Sequence, residues 1–175
     1  FAFGENPTSP SPYGYFGGGY TGSSIVSTVD RLDYGSDTTA TTPKGTLSVA
    51  NYALSATGNQ THGYFGGGYN GPSVVSKVDR IDYSNDSIFT SVRGNLTAAR
   101  SYLAATSNTS HGYFGGGYTG PFTTIVDRID YSNDTATASP RGPLSVARYA
   151  IGATGNTSFG YFAGGQPGPS VSTVD

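Results

Sequence analysis

One heptapeptide constrains this chain more than any other feature. Gly63-Tyr64-Phe65-Gly66-Gly67-Gly68-Tyr69 recurs at 14–20 and 112–118, and again at 160–166 with Ala163 and Gln166 in place of a glycine and the tyrosine. The four starts, at 14, 63, 112 and 160, lie 49, 49 and 48 residues apart. A fixed period of this size is the mark of a repeat architecture. Most side chains must therefore serve a unit that is copied along the chain.

Within the unit the pattern is that of short strands. Tyr52-Ala53-Leu54-Ser55-Ala56-Thr57 alternates large and small residues, the period of a strand, and Gly58-Asn59 marks a turn. His62-Gly63-Tyr64-Phe65 predicts an aromatic strand running into the glycines, and Asn70-Gly71-Pro72 turns the chain. Val74 to Tyr83 is rich in β-branched residues and predicts a longer strand. Ser84-Asn85-Asp86 is a polar turn, and Ser87 to Val92 predicts a weaker fourth strand. Leu96 to Leu103 has room for one or two helical turns, but no window of helical period rivals the strands. The expectation is an all-β fold with four short antiparallel strands in each repeat of ~49 residues. Tyr64 and Phe65, adjacent on a strand, must point to opposite faces. The glycines permit close backbone approach and positive φ.

Counted from the glycine motif, the repeats are 14–62, 63–111 and 112–159, with a partial fourth at 160–175. Residues 1–13 precede them as an extended segment stiffened by Pro7, Pro10 and Pro12. Its Phe1-Ala2-Phe3-Gly4 start is expected to play the part of Tyr52-Ala53-Leu54-Ser55 one repeat later, a candidate strand for completing a unit.

The order and spacing of Phe65-Gly66-Gly67, Ile81-Asp82-Tyr83-Ser84-Asn85-Asp86 and Arg100-Ser101-Tyr102 resemble the kelch repeat. The resemblance covers nearly the whole chain from Gly14 onward and implies β-propeller blades. The chain has no Trp, which kelch blades usually carry in the fourth strand; Ala40, Phe89 and Thr137 stand near that place. The wording Tyr-Phe-Gly-Gly-Gly and Val-Asp-Arg-Ile-Asp-Tyr also resembles kelch-type arrays in structural proteins of tailed phages and environmental bacteria.

Composition narrows the function. Net charge is -2 and charged residues are 11%, which provides no basic face for nucleic acid. No apolar run approaches the roughly 20 residues of a membrane span, and no signal-peptide pattern is visible. Cysteine is absent, which rules out disulfides, thiolate zinc and the Tyr-Cys copper chemistry of some kelch propellers. Methionine is absent too, so a processed product or part of a longer protein is expected.

Charges repeat with the unit. Asp30, Asp79, Asp127 and Asp175 are equivalent; so are Arg31, Arg80 and Arg128; Asp33, Asp82 and Asp130; Asp37, Asp86 and Asp134; Lys44, Arg93 and Arg141. Arg100 and Arg148 match each other, with Asn51 in the first copy. Of the 9 basic and 11 acidic side chains only Glu5 and Lys77 stand outside the repeat. A catalytic centre needs one constellation in one place, so these charges read as architecture: ion pairs between units and turn-capping carboxylates. An Arg100-type residue paired with an Asp82-type carboxylate is the expected buried pair. No catalytic, cofactor or metal residue is assigned, and no enzyme activity is expected. The Asp79 to Asp86 run lacks calcium-loop spacing. His62 and His111 share a position that takes Tyr13 and Phe159 elsewhere, so they read as packing residues. Asn59, Asn85, Asn95, Asn108, Asn133 and Asn156 begin Asn-x-Ser/Thr sequons and are candidate glycosylation sites.

Three full units and the start of a fourth fall short of the roughly 4–8 blades of a closed propeller. Phe1, Ala2, Phe3, Val174 and Asp175 are therefore candidate assembly edges. The expectation is an incomplete or intermolecularly completed propeller. Its role would be structural, in an extracellular filament, virion or surface assembly held by self-association. The alternative is a glycan- or protein-binding module using the loops at 21–23, 70–73, 119–122 and 167–169; a propeller hydrolase is the remote third reading.

Overall fold

The computed structural model describes residues 12–86, 90–166 and 172–175. Phe1 to Phe3, Glu5, Ile88, Phe89 and the loop at 167–169 lie outside these residues. Four antiparallel sheets follow one another along the chain. The first holds β1 (Tyr13–Tyr20), β2 (Ile25–Asp33) and β3 (Thr42–Thr46). The second holds β4 (Ser55–Gly58), β5 (His62–Gly66), β6 (Val78–Asp82) and β7 (Ser91–Val92). The third repeats it with β8 (Ala104–Ser107), β9 (His111–Gly115), β10 (Val126–Asp130) and β11 (Ser139–Pro140). The fourth has β12 (Gly152–Gly155) and β13 (Gly160–Ala163), joined by a bridge from Ala163 to Val174. Among the described residues helix is limited to the 3-10 turns Tyr34–Ser36 and Tyr83–Asn85. The fold is all-β, in sheets of two to four strands.

The strand boundaries differ from the sequence pattern for local reasons. β4 starts at Ser55 rather than Tyr52, because Ala53 takes a left-handed backbone at φ 53. β6 starts at Val78 rather than Val74, because its partner β5 stops at Gly66 and the next two glycines turn away at φ 71 and 112. Leu96 to Leu103 forms no helix. It crosses from the second sheet to the third and buries both leucines. The second, third and fourth sheets each open with the strand that closes a repeat counted from its glycine motif.

Strand alternation decides what each face meets. Tyr64, Val78 and Arg80 face the third sheet, while Phe65, Asp79 and Ile81 face the first. Tyr64 and Val78 join Phe114 and Ile129 in one buried cluster; Phe65 and Ile81 join Val29 and Leu47 in another. A third cluster unites Ala104, Val126 and Phe162. The core is thus a series of layers between successive sheets.

The three glycines have separate reasons. A Cβ on Gly66 would lie 2.7 Å from the Phe114 ring of the next sheet, and Gly17 and Gly115 meet Phe65 and Phe162 in the same way. Gly67 and Gly68 are left-handed and lie against the crossing segment, where the Gly68 N–H donates to the Arg100 carbonyl at 2.9 Å.

Candidate functional site

The charged residues first show where chemistry is already committed. Asp134, in the turn after β10, accepts from the Tyr64 hydroxyl at 2.8 Å and from Arg80 at 2.8 Å, with Arg93 at 3.4 Å. Asp86 gathers Tyr15, Arg31 and Lys44 one sheet earlier, at 2.9, 2.8 and 3.7 Å. Both acids take all three partners from the preceding sheet, so each fastens two sheets together. Tyr64 stacks on Tyr131 at 4.8 Å, as Tyr15 stacks on Tyr83 at 4.9 Å. Burial and the adjacent carboxylate hold the Tyr64 and Tyr15 hydroxyls well above the usual phenol range, so both stay protonated near neutral pH.

The expected pairing of Arg100 with an Asp82-type carboxylate is corrected. Arg100 pairs with Asp127, of the Asp79 class, at 3.0 Å with both side chains fully buried. Asp127 and Asp130 are three apart on β10 and face opposite ways; only Asp127 faces the crossing segment that carries Arg100. Burial pulls the Arg100 pKa down, and Asp127 opposes it. Asp82 and Asp130 instead cap turns, accepting from the side chain and N–H of Ser84 and Ser132, bonds that hold both carboxyls below their usual range.

Asn59, Asn108 and Asn156 sit in the turns between first and second strands, where each side-chain oxygen accepts from N–H groups two and three residues on. Asn85, Asn95 and Asn133 are exposed. Val174 is 61% exposed, whereas Asp175 pairs with Arg148. His62 and His111 flank the equivalent tyrosines Tyr64 and Tyr113, and burial first, then Arg80 and Arg128 respectively, pushes their pKa down.

A different region has the form of a binding site. The crossing segments place Ala53, Tyr102 and Ala150 at equivalent positions, all left-handed, with φ 53, 55 and 53. Such a conformation is unfavourable for residues with a side chain. It is held here by backbone hydrogen bonds that run from one repeat to the next: Tyr102 N–H to Ala53 O at 2.7 Å, and Ala150 N–H to Tyr102 O at 2.9 Å. These residues, with Leu54, Leu103, Ile151 and the starts of β4, β8 and β12, line a cavity of about 260 Å³. Its one titratable group is Tyr102, so the cavity has no acid–base pair.

Aromatic rings continue outward from it. Tyr52 lies 5.9 Å from Tyr20, 5.6 Å from Tyr69 and 6.5 Å from Tyr102. Tyr102 lies 5.8 Å from Tyr149, which stacks on Phe122 at 4.8 Å and 8°. Tyr20, Tyr102, Tyr118 and Phe122 are exposed. The loops at 21–23, 70–73 and 119–122 follow directly on Tyr20, Tyr69 and Tyr118 and carry no charge. Sequence reasoning picked out these loops but not the ledge behind them. The tyrosine after each glycine triplet was the available signal. The left-handed residues gave none, being two alanines and a tyrosine.

No protein-family model and no curated protein matches the chain. Among the solved structures that match, one titled "Structure of YjhT" aligns with a TM-score of 0.71 at 11% identity, over 86% of this chain and 49% of that one. The chain thus spans about half the length of that structure, and what the two share is a fold.

Proposed function

We propose that the chain is a run of kelch-like propeller blades with a structural, non-catalytic role in an extracellular filament, virion or surface assembly. The observation that carries this reading is the identical fastening at successive sheet junctions: a tyrosine hydroxyl and two cations on one acid, at Asp86 and again at Asp134. Side chains engaged in this way build an array rather than a reaction centre. Tyr113, Arg128 and Arg141 repeat the three donors on the third sheet, and among the described residues no carboxylate lies within ion-pair distance of either arginine. Asp37, exposed on the first sheet, repeats the acceptor. A further unit, of the same or another chain, would dock on these groups. Negative-stain imaging with size-exclusion chromatography tests the assembly. Concentration-dependent polymers that Asp37→Arg disperses are expected; discrete monomers at every concentration would overturn it.

The aromatic ledge favours a second reading, a binding module for a neutral glycan. Tyrosine faces accept the C–H face of a sugar ring, and the charge-free loops offer only neutral hydrogen-bond partners. A glycan array with wild type, Tyr102→Ala and Phe122→Ala tests it. One strong hit lost in both variants is expected; no hit would remove this reading while leaving the assembly proposal standing.

A further inference from the structure

Four carboxylates, Asp30, Asp79, Asp127 and Asp175, occupy one strand position, and the last two show what the position requires. Asp127 accepts from the Thr97 N–H at 3.0 Å and the Thr97 hydroxyl at 2.6 Å, and pairs with Arg100. Arg100 also donates to the Phe114 carbonyl at 2.9 Å. Asp175 accepts from the Ser145 N–H at 2.8 Å and pairs with Arg148, which donates to the Phe162 carbonyl at 2.9 Å. Each site therefore holds one carboxylate, one hydroxylated residue at the crossing segment, one main-chain carbonyl and one guanidinium.

Asp79 keeps the hydroxylated residue of the crossing segment but not the cation. Ser48 donates its N–H and hydroxyl to Oδ2 at 3.1 and 3.0 Å. Asn51 stands where Arg100 and Arg148 stand, and its amide N–H donates to the Gly67 carbonyl at 3.0 Å. Asp79 Oδ1 and Asn51 Oδ1 are buried without a hydrogen-bond partner, in residues only 4% and 6% exposed. Lys77 precedes Asp79 by two residues, but its ammonium comes within ion-pair distance of no carboxylate among the described residues. Two orphaned acceptors where the sibling sites hold a positive group are costly unless a cation compensates them.

We propose that the corner formed by Asn51 and Asp79 binds a small monovalent cation of the alkali-metal class in place of the guanidinium of its siblings. Every donor there is an oxygen: the Asp79 carboxylate, the Asn51 amide and, by repeat equivalence, the Phe65 carbonyl. Oxygen-only ligands select hard cations, and a single carboxylate balances one positive charge rather than two. Asparagine lacks the reach by which Arg100 meets Asp127 at 3.0 Å, so the side chain at this position brings no positive charge to Asp79.

Thermal unfolding in sodium, potassium or tetramethylammonium chloride at equal ionic strength tests the site. The first two ions can enter such a corner; the third is too large. Wild type is expected to gain about 3–5 °C in Tm at a sodium or potassium concentration about tenfold above Kd, relative to tetramethylammonium. Asn51→Arg, which installs the sibling chemistry, is expected to unfold at a higher temperature with no preference among the salts. Equal Tm values for wild type in all three salts would overturn the proposal, as would a preference retained by Asn51→Arg. Should Asn51→Arg not fold, Asp79→Asn serves instead and must lose the preference. A preference that arises only in Lys77→Gln would also overturn it, assigning the corner to the lysine.

Discussion

The Tyr64 hydroxyl donates to Asp134 at 2.8 Å across 70 residues of sequence. Tyr64 belongs to the second sheet and Asp134 to the turn that ends the third strand of the next. The bond joins two units through a residue that each unit contributes once, and Tyr15 and Asp86 repeat it.

Removing the acid should be worse than removing the phenol. Asp134→Ala leaves Tyr64, Arg80 and Arg93 without their common acceptor and should destabilise by about 3 kcal/mol, the lower end for a broken buried pair because both arginines are about one-fifth exposed. Tyr64→Phe removes one hydrogen bond to a charged group and should cost about 1.5–3 kcal/mol. Urea denaturation of both variants measures the difference.

The glycine under Phe114 gives a second test. Gly66→Ala puts a methyl 2.7 Å from the ring and should destabilise by about 1–3 kcal/mol through overpacking. Phe114→Leu in the same chain should relieve part of that loss, and the double-mutant cycle should show coupling. Gly94→Ala should be more severe, because its methyl would overlap the Ala136 carbonyl, which is backbone and cannot swing aside.

Arg100 and Asp127 are both fully buried, so losing one is worse than losing both. Arg100→Met should cost about 3–5 kcal/mol by stranding the carboxylate, whereas Arg100→Met with Asp127→Leu should recover much of it. Calorimetry of the single and double variants checks the order.

Acid should weaken the fold in two stages. His62 and His111 have folded pKa values below 6.5, so the unfolded chain binds protons more readily there. Their contribution is complete above pH 6.5 and is lost as pH falls through the lowered values. Asp82 and Asp130, held below 3.8, follow at lower pH by the same sign. The variant carrying His62→Tyr and His111→Phe, residues the repeat already uses at 13 and 159, should flatten Tm against pH between 7 and 5.

The period, the strand order and the structural use of the charges were legible because each is stamped on the sequence several times over. Tyr64 and Phe65 on opposite faces followed from strand alternation alone. The partner of Arg100 was not legible, since Asp127 and Asp130 both recur at every repeat and only the path of the crossing segment selects between them. The aromatic ledge was hidden for a similar reason: Tyr20, Tyr52, Tyr102 and Tyr149 come from different segments, and the crossings bring them together. Ala53, Tyr102 and Ala150 adopt a conformation their residue types disfavour, which no local propensity announces.

Those three left-handed residues have a consequence beyond the cavity they line. Tyr102 passes its N–H backward to Ala53 and its carbonyl forward to Ala150, so the seam has a direction and no natural end. A unit inserted between two others would find the same acceptor behind it and the same donor ahead. Gene duplication can therefore lengthen such a protein without inventing a new junction.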